Sequence, residues 1–253
     1  MSWKIPREWR DAVSRVPAPR LPGVGPRLSA VGLAVPKGSV VADIGADHGL
    51  LSRALLRADR ARFVHATDAS SAALDGAVKA LAWGVSAGRA SVAVGDGFEA
   101  IPPNEVDCAV LAGTGSVTAL DIVRRGLATG HRPSRIVFQP SGGEHDVRTE
   151  MVTLGYGLVA EQLVAEGQRL FMVLAFEDGE GLMTIDGLED RYVGPFIKNA
   201  PGPLLGAWLD VQKDWLSGLI ERADSGTAKD ALQERFAVVS CLALNHRKAV
   251  SPS

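Results

Sequence analysis

The hydrophobic residues that follow residue 25 form short apolar runs, which alternate with longer stretches of mixed polarity. The runs have the length of buried strands and lie near residues 39–44, 62–67, 90–94, 106–111 and 135–139. The intervening stretches carry apolar residues at helical spacing and lie near residues 48–58, 71–83, 116–128 and 143–154. Such alternation predicts a parallel sheet with helices on both faces.

The pattern changes after Gly155. The segment "YGLVAEQLVAEGQRLFMVLAFED" is typical of two strands joined through Glu166 and Gly167, which predicts an antiparallel hairpin. A linker rich in glycine and acids follows and ends near Asp190. Beyond it, two stretches separated by "DSGT" predict a pair of antiparallel helices with a shared apolar seam. Their periodic residues are Leu204, Leu205, Trp208, Leu209, Val211, Trp215, Leu216, Leu219, Leu232, Phe236, Val239 and Leu242.

These patterns together predict an α/β fold with a C-terminal helical hairpin. A mostly parallel, Rossmann-like sheet that ends in an antiparallel hairpin is the architecture of class I methyltransferases, although other α/β folds share this outline. We therefore predict a methyltransferase domain over residues 26–178 and a helical, coiled-coil-like domain over residues 191–250. Residues 1–25 form an N-terminal extension, and four prolines in it or directly after it disfavour regular helix: Pro17, Pro19, Pro22 and Pro26.

Composition narrows the range of functions. The 27 basic and 29 acidic residues give a net charge of −2, so any nucleic-acid site must be a local basic patch. Cys108 and Cys241 lie in apolar surroundings without a CxxC pair, which favours buried thiols over a disulfide or a metal site. No apolar segment is long enough to span a bilayer and no signal sequence is present, which predicts a cytoplasmic protein with no membrane partner.

The motif "VADIGADHGLL" carries the first candidate chemistry. Gly45 and Gly49 suit the tight turn of a nucleotide pocket, but the carboxylate of Asp47 would repel a pyrophosphate. S-adenosylmethionine carries no phosphate, and its ammonium and sulfonium suit Asp43 and Asp47. In the plainer alternative, Asp43 ends a strand and Asp47 caps a helix.

Two more acids follow the next strands in order. "HATDAS" places Asp68 at the end of the second strand, where a carboxylate can accept hydrogen bonds from ribose hydroxyls. "VGDGFEAI" places Asp96 after the third strand, where it can meet the adenine edge, although GDG is also common turn chemistry. One acid after each successive strand favours a bound nucleoside.

A family resemblance rests on these motifs taken together. The run from Arg27 through "VADIGADHGLL", "GDGFEAI", "LAGTGS", "FQPS" and "VGPF" resembles the bacterial tRNA (adenine-22-N1)-methyltransferase family. The likeness begins near residue 26 and leaves the N-terminal extension outside it. It implies methyl transfer from S-adenosylmethionine to N1 of an adenine in tRNA, without a metal. The oligomeric state stays open.

The motifs, their chemistry and the resemblance together indicate two sets of site residues. The predicted cofactor-binding residues are Asp43, Gly45, Asp47, Gly49, Asp68, Ala69, Asp96, Gly97, Ala112 and Gly113. The predicted catalytic residues are Arg27, Asp47, His48 and Gly113: Asp47 or a carbonyl near Gly113 accepts from the adenine amine, and Arg27 binds phosphate. His48 is either a substrate contact or a structural residue of the turn.

The chain departs from the family pattern where the target base enters. The usual AGMGG loop is AGTGS here, with Thr114 and Ser116, and the usual QPN is QPS, with Ser141 in place of the amide. Two alternatives therefore accompany the tRNA prediction. One is a class I methyltransferase that acts on another RNA or a small molecule, and the other is a noncatalytic S-adenosylmethionine-binding protein.

Overall fold

The structure is a computed structural model that describes residues 3–179, 184–200 and 202–250, without the side chains of the last two. An eight-stranded sheet forms its centre. The strands are β1 (Trp3–Lys4), β2 (Ser39–Ile44), β3 (Ala61–Asp68), β4 (Ala90–Val94), β5 (Cys108–Ala112), β6 (Arg135–Gln139), β7 (Tyr156–Glu166) and β8 (Arg169–Asp178).

Helices cover both faces of the sheet and extend beyond it at the C-terminal end. They are α1 (Arg10–Ser14), α2 (Pro26–Ala34), α3 (Leu50–Arg57), α4 (Ser71–Ser86), α5 (Ser116–Ala128), α6 (Glu144–Thr153), α7 (Gly187–Tyr192), α8 (Pro203–Arg222) and α9 (Thr227–Val250). The strands and helices predicted between residues 39 and 178 are present, with ends shifted by a few residues at most.

The strand order confirms the predicted α/β class. From one edge the order is β4-β3-β2-β5-β6-β8-β7, and the five strands from β4 to β6 pair in parallel. Strand β8 pairs antiparallel with β6 and with β7, as the predicted hairpin requires. Large apolar clusters fill both faces of the sheet, so the central strands are buried on two sides.

The prediction that the four prolines disfavour regular helix is wrong at Pro26. Helix α2 begins at Pro26, because proline at the first helical position lacks only an NH group that would have no partner within the helix. The other three prolines follow residue 16, and the segment before them folds into β1, a 3-10 turn at Arg7–Trp9 and α1.

The C-terminal helices α8 and α9 pack along each other after a short connection, as predicted. The N-terminal segment joins them to the sheet. The indole Nε1 of Trp9 donates to Asp210 on α8 at 2.7 Å, and Arg247 on α9 donates to the same carboxylate at 2.7 Å. The predicted domain limits at residues 26, 178 and 191 stay a prediction, and part of the linker between them lies outside the described residues.

The two cysteines differ in environment. Cys108 on β5 is fully buried, and burial raises the pKa of its thiol to about 12. Cys241 is exposed on α9, so the prediction that it is buried is wrong: it lies outside the seam through which α8 and α9 pack. No helix in the described part of the chain is both long and apolar enough to cross a membrane.

Candidate active site

The candidate site lies at the carboxyl end of β2, in the middle of the sheet. Its neighbours β3 and β5 continue toward opposite edges, and this arrangement opens a crevice above the strand ends of α/β folds. The loop after β2 makes a tight turn, with positive φ angles of 75° at Gly45, 48° at Asp47 and 65° at Gly49. Gly49 also packs against α4, where an added Cβ would come within 3.0 Å of the Ala77 backbone.

Asp43 is the most strongly perturbed acid of the site. Its carboxylate is buried at the end of β2 and accepts hydrogen bonds from Ser52, at 2.6 Å from the hydroxyl and 3.2 Å from the backbone NH. Burial raises the pKa of Asp43 to about 6, and the charge of Asp68 adds to this rise, while the bonds from Ser52 oppose it. An adjacent cation would therefore be well placed to stabilise the ionised form.

Asp68 joins two loops at the end of β3. One carboxylate oxygen accepts from the backbone NH of Asp47 at 3.2 Å, and the other accepts from the NH of Ser70 at 2.9 Å. The NH groups of Gly45 and Ala46 both donate to the carbonyl of Thr67. Because these NH groups already have partners, the turn presents chiefly carboxylates to the space above it.

His48 lies in the same turn with an exposed imidazole. The imidazole is 3.8 Å from the carboxylate of Asp47 and packs over Gly76 on α4, where an added Cβ would collide with the ring at Nδ1. The His48 side chain thus lines the inner pocket, and its position requires a glycine at residue 76.

Two loops form the opposite wall. Gly113, with φ of 85°, donates its NH to the carbonyl of Gln139 at 2.8 Å, and the NH of Ser141 donates to the carbonyl of Thr114 at 3.1 Å. Arg27 on α2 reaches this wall, because its Nη1 donates to the side-chain oxygen of Gln139 at 2.6 Å.

These residues enclose two adjoining cavities. The inner cavity, of about 400 Å³, is lined by Arg27, Leu28, Asp43, Gly45, Ala46, Asp47, His48, Leu50, Leu51, Asp68, Ala112, Gly113 and Thr114. The outer cavity, of about 830 Å³, is lined by Arg27, Gly113, Gln139, Ser141, Glu166, Gly167, Gln168, Arg169 and Phe171. Both volumes are in the range of small-molecule sites, and Arg27 and Gly113 stand at their shared boundary.

The structure thus brings most of the predicted site residues together, but not all of them. Ala69, Asp96 and Gly97 do not line the inner cavity, and Gly49 contributes packing rather than a wall. The carboxylate of Asp96 pairs with Arg125 on α5 at 3.0 Å. Their part in cofactor binding stays a prediction.

Sequence reasoning missed the supporting residues. Ser52 is a small hydroxyl residue in the helix after the turn, and that placement was the only available signal for its bond to Asp43. Leu28 and Phe171 carry no motif, and the fold brings them to the site from α2 and β8. Within the described residues, no group of three or more His, Cys, Asp or Glu side chains could hold a metal ion.

Three carboxylates thus line the inner cavity, and the ring of Phe171 lines the outer one. The sequence profile of the methyltransferase domain family matches residues 24–174, which include β2 to β6 and the walls of both cavities. The chain therefore belongs to the methyltransferase domain family.

Individual proteins within this broad family are similar to the chain over most of its length. The chain is 26% identical over 215 residues to the tRNA (adenine(22)-N(1))-methyltransferase of Bacillus subtilis strain 168, covering 82% of this chain and 90% of that protein. A Streptococcus pneumoniae structure in complex with S-adenosyl-L-methionine is 22% identical with a TM-score of 0.75, covering 87% and 99% of the two chains. The M. capricolum TrmK structure, with S-adenosyl-homocysteine, is 20% identical with a TM-score of 0.71, covering 87% and 97%. Because both structures are less than 25% identical to this chain, they support a shared fold and not a shared activity.

Proposed function

We propose that this protein is an S-adenosylmethionine-dependent methyltransferase that methylates N1 of an adenine in tRNA. The observation that carries the proposal is the acidic inner cavity, which meets a larger outer cavity at Arg27 and Gly113. A methyl donor and an acceptor base need two such adjoining spaces. The curated Bacillus subtilis relative, whose name states this reaction, supports the choice of acceptor.

The residues of the inner cavity fit the proposed cofactor. Asp43, Asp47 and Asp68 are three acids around one small space, which suits an ammonium and a sulfonium and opposes a pyrophosphate. We propose that Asp68 accepts from the ribose hydroxyls, and that the apolar side chains of Leu28 and Leu50 pack against the rest of the nucleoside. When bound, S-adenosylmethionine supplies an electrophilic methyl group.

The protein's contribution to transfer is mainly alignment. The N1 of adenine carries a free lone pair at neutral pH, so no strong base is needed, and holding two reactants in attack geometry lowers the barrier substantially. We propose that Gly113, at the cavity boundary, lets the acceptor base approach closely. Asp47 or a carbonyl near Gly113 accepts from the adenine amine, which stabilises the cationic product.

Arg27 and His48, which are also predicted catalytic residues, contribute to substrate binding and to the shape of the site. Arg27 is held by Gln139 and lies over the ring of Phe171, with 5.6 Å between the guanidinium carbon and the ring centroid. We propose that its remaining NH groups face an RNA phosphate at the outer cavity. His48, packed on Gly76, shapes the wall of the inner cavity.

A transfer assay tests the proposal. Purified protein is incubated with methyl-labelled S-adenosylmethionine and an unmodified tRNA transcript, and label in the RNA is counted. A transcript with guanine at position 22, the position in the name of the Bacillus subtilis relative, is the matched control. Label in the adenine transcript alone would place the methylated base at position 22, and equal label in both transcripts would place it elsewhere in the tRNA.

The altered loops favour a second candidate, a methyltransferase with another acceptor. Thr114 lines the inner cavity, Ser141 lines the outer one, and the NH of Ser141 donates to the carbonyl of Thr114, so the two altered loops meet where the cavities adjoin. Label in another RNA or in a small molecule, with none in tRNA, would favour it. Cofactor binding measured by calorimetry, without transfer to any acceptor, would favour a noncatalytic role.

A further inference from the structure

Two like charges face each other where the N-terminal segment joins the sheet. Strand β1 pairs antiparallel with β8, and Lys4 lies directly opposite Arg169. Facing residues of an antiparallel pair project to the same side, and like charges in this position destabilise the pair. Both side chains are exposed, and neither has an ion pair among the residues that the structure describes.

The position of Lys4 is fixed by its buried neighbours. Trp3 and Ile5 are both buried, and the Trp3 ring meets the Trp215 ring edge-on, with 5.2 Å between their centroids. The backbone NH of Ile5 donates to the carbonyl of Gln168 at 2.8 Å. Because residues alternate along a strand, anchoring Trp3 and Ile5 on one side directs Lys4 to the other.

That other side is the side of the outer cavity. Arg169 and Phe171 line the cavity and lie two residues apart on β8, so they share the face to which Lys4 projects. Arg27 lines the same cavity and lies over the ring of Phe171. The one acid that lines the outer cavity is Glu166, whose carboxylate accepts a hydrogen bond from the backbone NH of Arg27 at 3.2 Å. Because this NH lies at the N-terminus of α2, the helix dipole offsets part of the negative charge of Glu166.

Basic residues continue along the N-terminal segment. Lys4, Arg7 and Arg10 line a groove between this segment and α8. The groove contains one acid, Asp214, and the segment itself carries two more, Glu8 and Asp11. This groove lies on the side of Trp3 and Trp215, so we call only Lys4 and Arg169, which share the face of the outer cavity, the basic rim.

We propose that the basic rim binds the phosphodiester backbone of the RNA whose base enters the outer cavity. The inference rests on the proposed function and adds a partner-binding role for the N-terminal segment, which lies outside the family resemblance. Phosphate contacts from Lys and Arg give most of the sequence-independent affinity for nucleic acid. Because the chain has a net charge of −2, RNA binding requires a local basic surface of this kind. The basic rim lies beside Phe171, whose ring lines the outer cavity and can stack on a base.

The test is the charge reversal Lys4→Glu. This change places a carboxylate opposite Arg169, so the thermal midpoint should not fall. Affinity for an unmodified tRNA transcript, measured by fluorescence anisotropy, should fall at least about threefold, and the slope of log affinity against log salt should become shallower by about one. Lys37→Glu changes the net charge equally but lies at the amino edge of the sheet, before β2, and should leave the slope unchanged.

The outcomes separate this inference from the proposed function. Binding is measured without turnover, and calorimetry checks that Lys4→Glu still binds S-adenosylmethionine. Loss of RNA affinity in Lys4→Glu alone supports the rim, even if no transfer to tRNA is ever detected. Equal affinities and salt slopes for the wild-type protein, Lys4→Glu and Lys37→Glu would overturn the rim, even if the protein methylates tRNA.

Discussion

The substitution Asp43→Asn should make the protein more stable while weakening its binding of the cofactor. Asp43 is buried, and its pKa is raised from 3.8 to about 6, chiefly by burial. This difference corresponds to about 3 kcal/mol of preference for the protonated form. An asparagine keeps the shape and can still accept from Ser52, but it has no charge to bury.

The stability gained by Asp43→Asn should increase with pH. Below pH 3.8 the carboxyl group of Asp43 is protonated in the folded and the unfolded protein, so its burial does not lower the free energy of unfolding of the wild-type protein. As pH rises through about 6, the folded protein must ionise the buried group, and the stability that protonation gave is lost. The advantage of Asp43→Asn should therefore grow from about 1.5 kcal/mol at pH 5 to about 3 kcal/mol at pH 8.

Urea unfolding between pH 5 and pH 8 measures this difference, and Asp75→Asn, an exposed acid on α4, is the matched control. The control should change the free energy of unfolding by less than about 0.5 kcal/mol. Calorimetry should give an S-adenosylmethionine affinity lowered about tenfold in Asp43→Asn, because a charge facing the cation is lost. A pH-independent difference, or a less stable Asp43→Asn protein at pH 8, would contradict the assignment of a destabilising buried charge to Asp43.

Three further predictions concern the site and the two thiols. Asp68→Ala should lower S-adenosylmethionine affinity in calorimetry with little loss of stability, and unchanged affinity would remove the ribose assignment. Gly49→Ala should lower the thermal midpoint more than Gly38→Ala does, because both have positive φ but only Gly49 faces a close backbone; equal losses would contradict this. Iodoacetamide should label Cys241 in the folded protein and leave Cys108 unlabelled by mass spectrometry, whereas labelled Cys108 would contradict its burial.

The regular part of the fold was predictable from the sequence because its signals are local. Buried parallel strands are short apolar runs, and the helices between them carry their own periodicity, so the elements from β2 to β8 appear in the pattern. Strand β1 was missed because two residues carry no period, and its pairing depends on Trp3 packing against a residue of α8. Helix α2 is not indicated by the sequence pattern because proline usually breaks a helix, whereas Pro26 occupies the first helical position.

The candidate site was predictable where residues follow a strand end directly. Asp43, Asp47 and Asp68 lie together because the carboxyl ends of parallel strands meet at one edge. The bond between Arg27 and Gln139 joins residues 112 positions apart, and no sequence spacing indicates it. For the same reason the pairing of Asp96 with Arg125 became visible only in the structure.

The most direct test of the central claim is the identity of the methylated nucleoside. After reaction with S-adenosylmethionine and an unmodified tRNA transcript, the RNA is digested to nucleosides and separated by chromatography with mass detection. We expect 1-methyladenosine in the digest, and none when the protein is omitted. A methyl group found on another atom or another base, or no methylated nucleoside from a protein that binds both cofactor and tRNA, would contradict it.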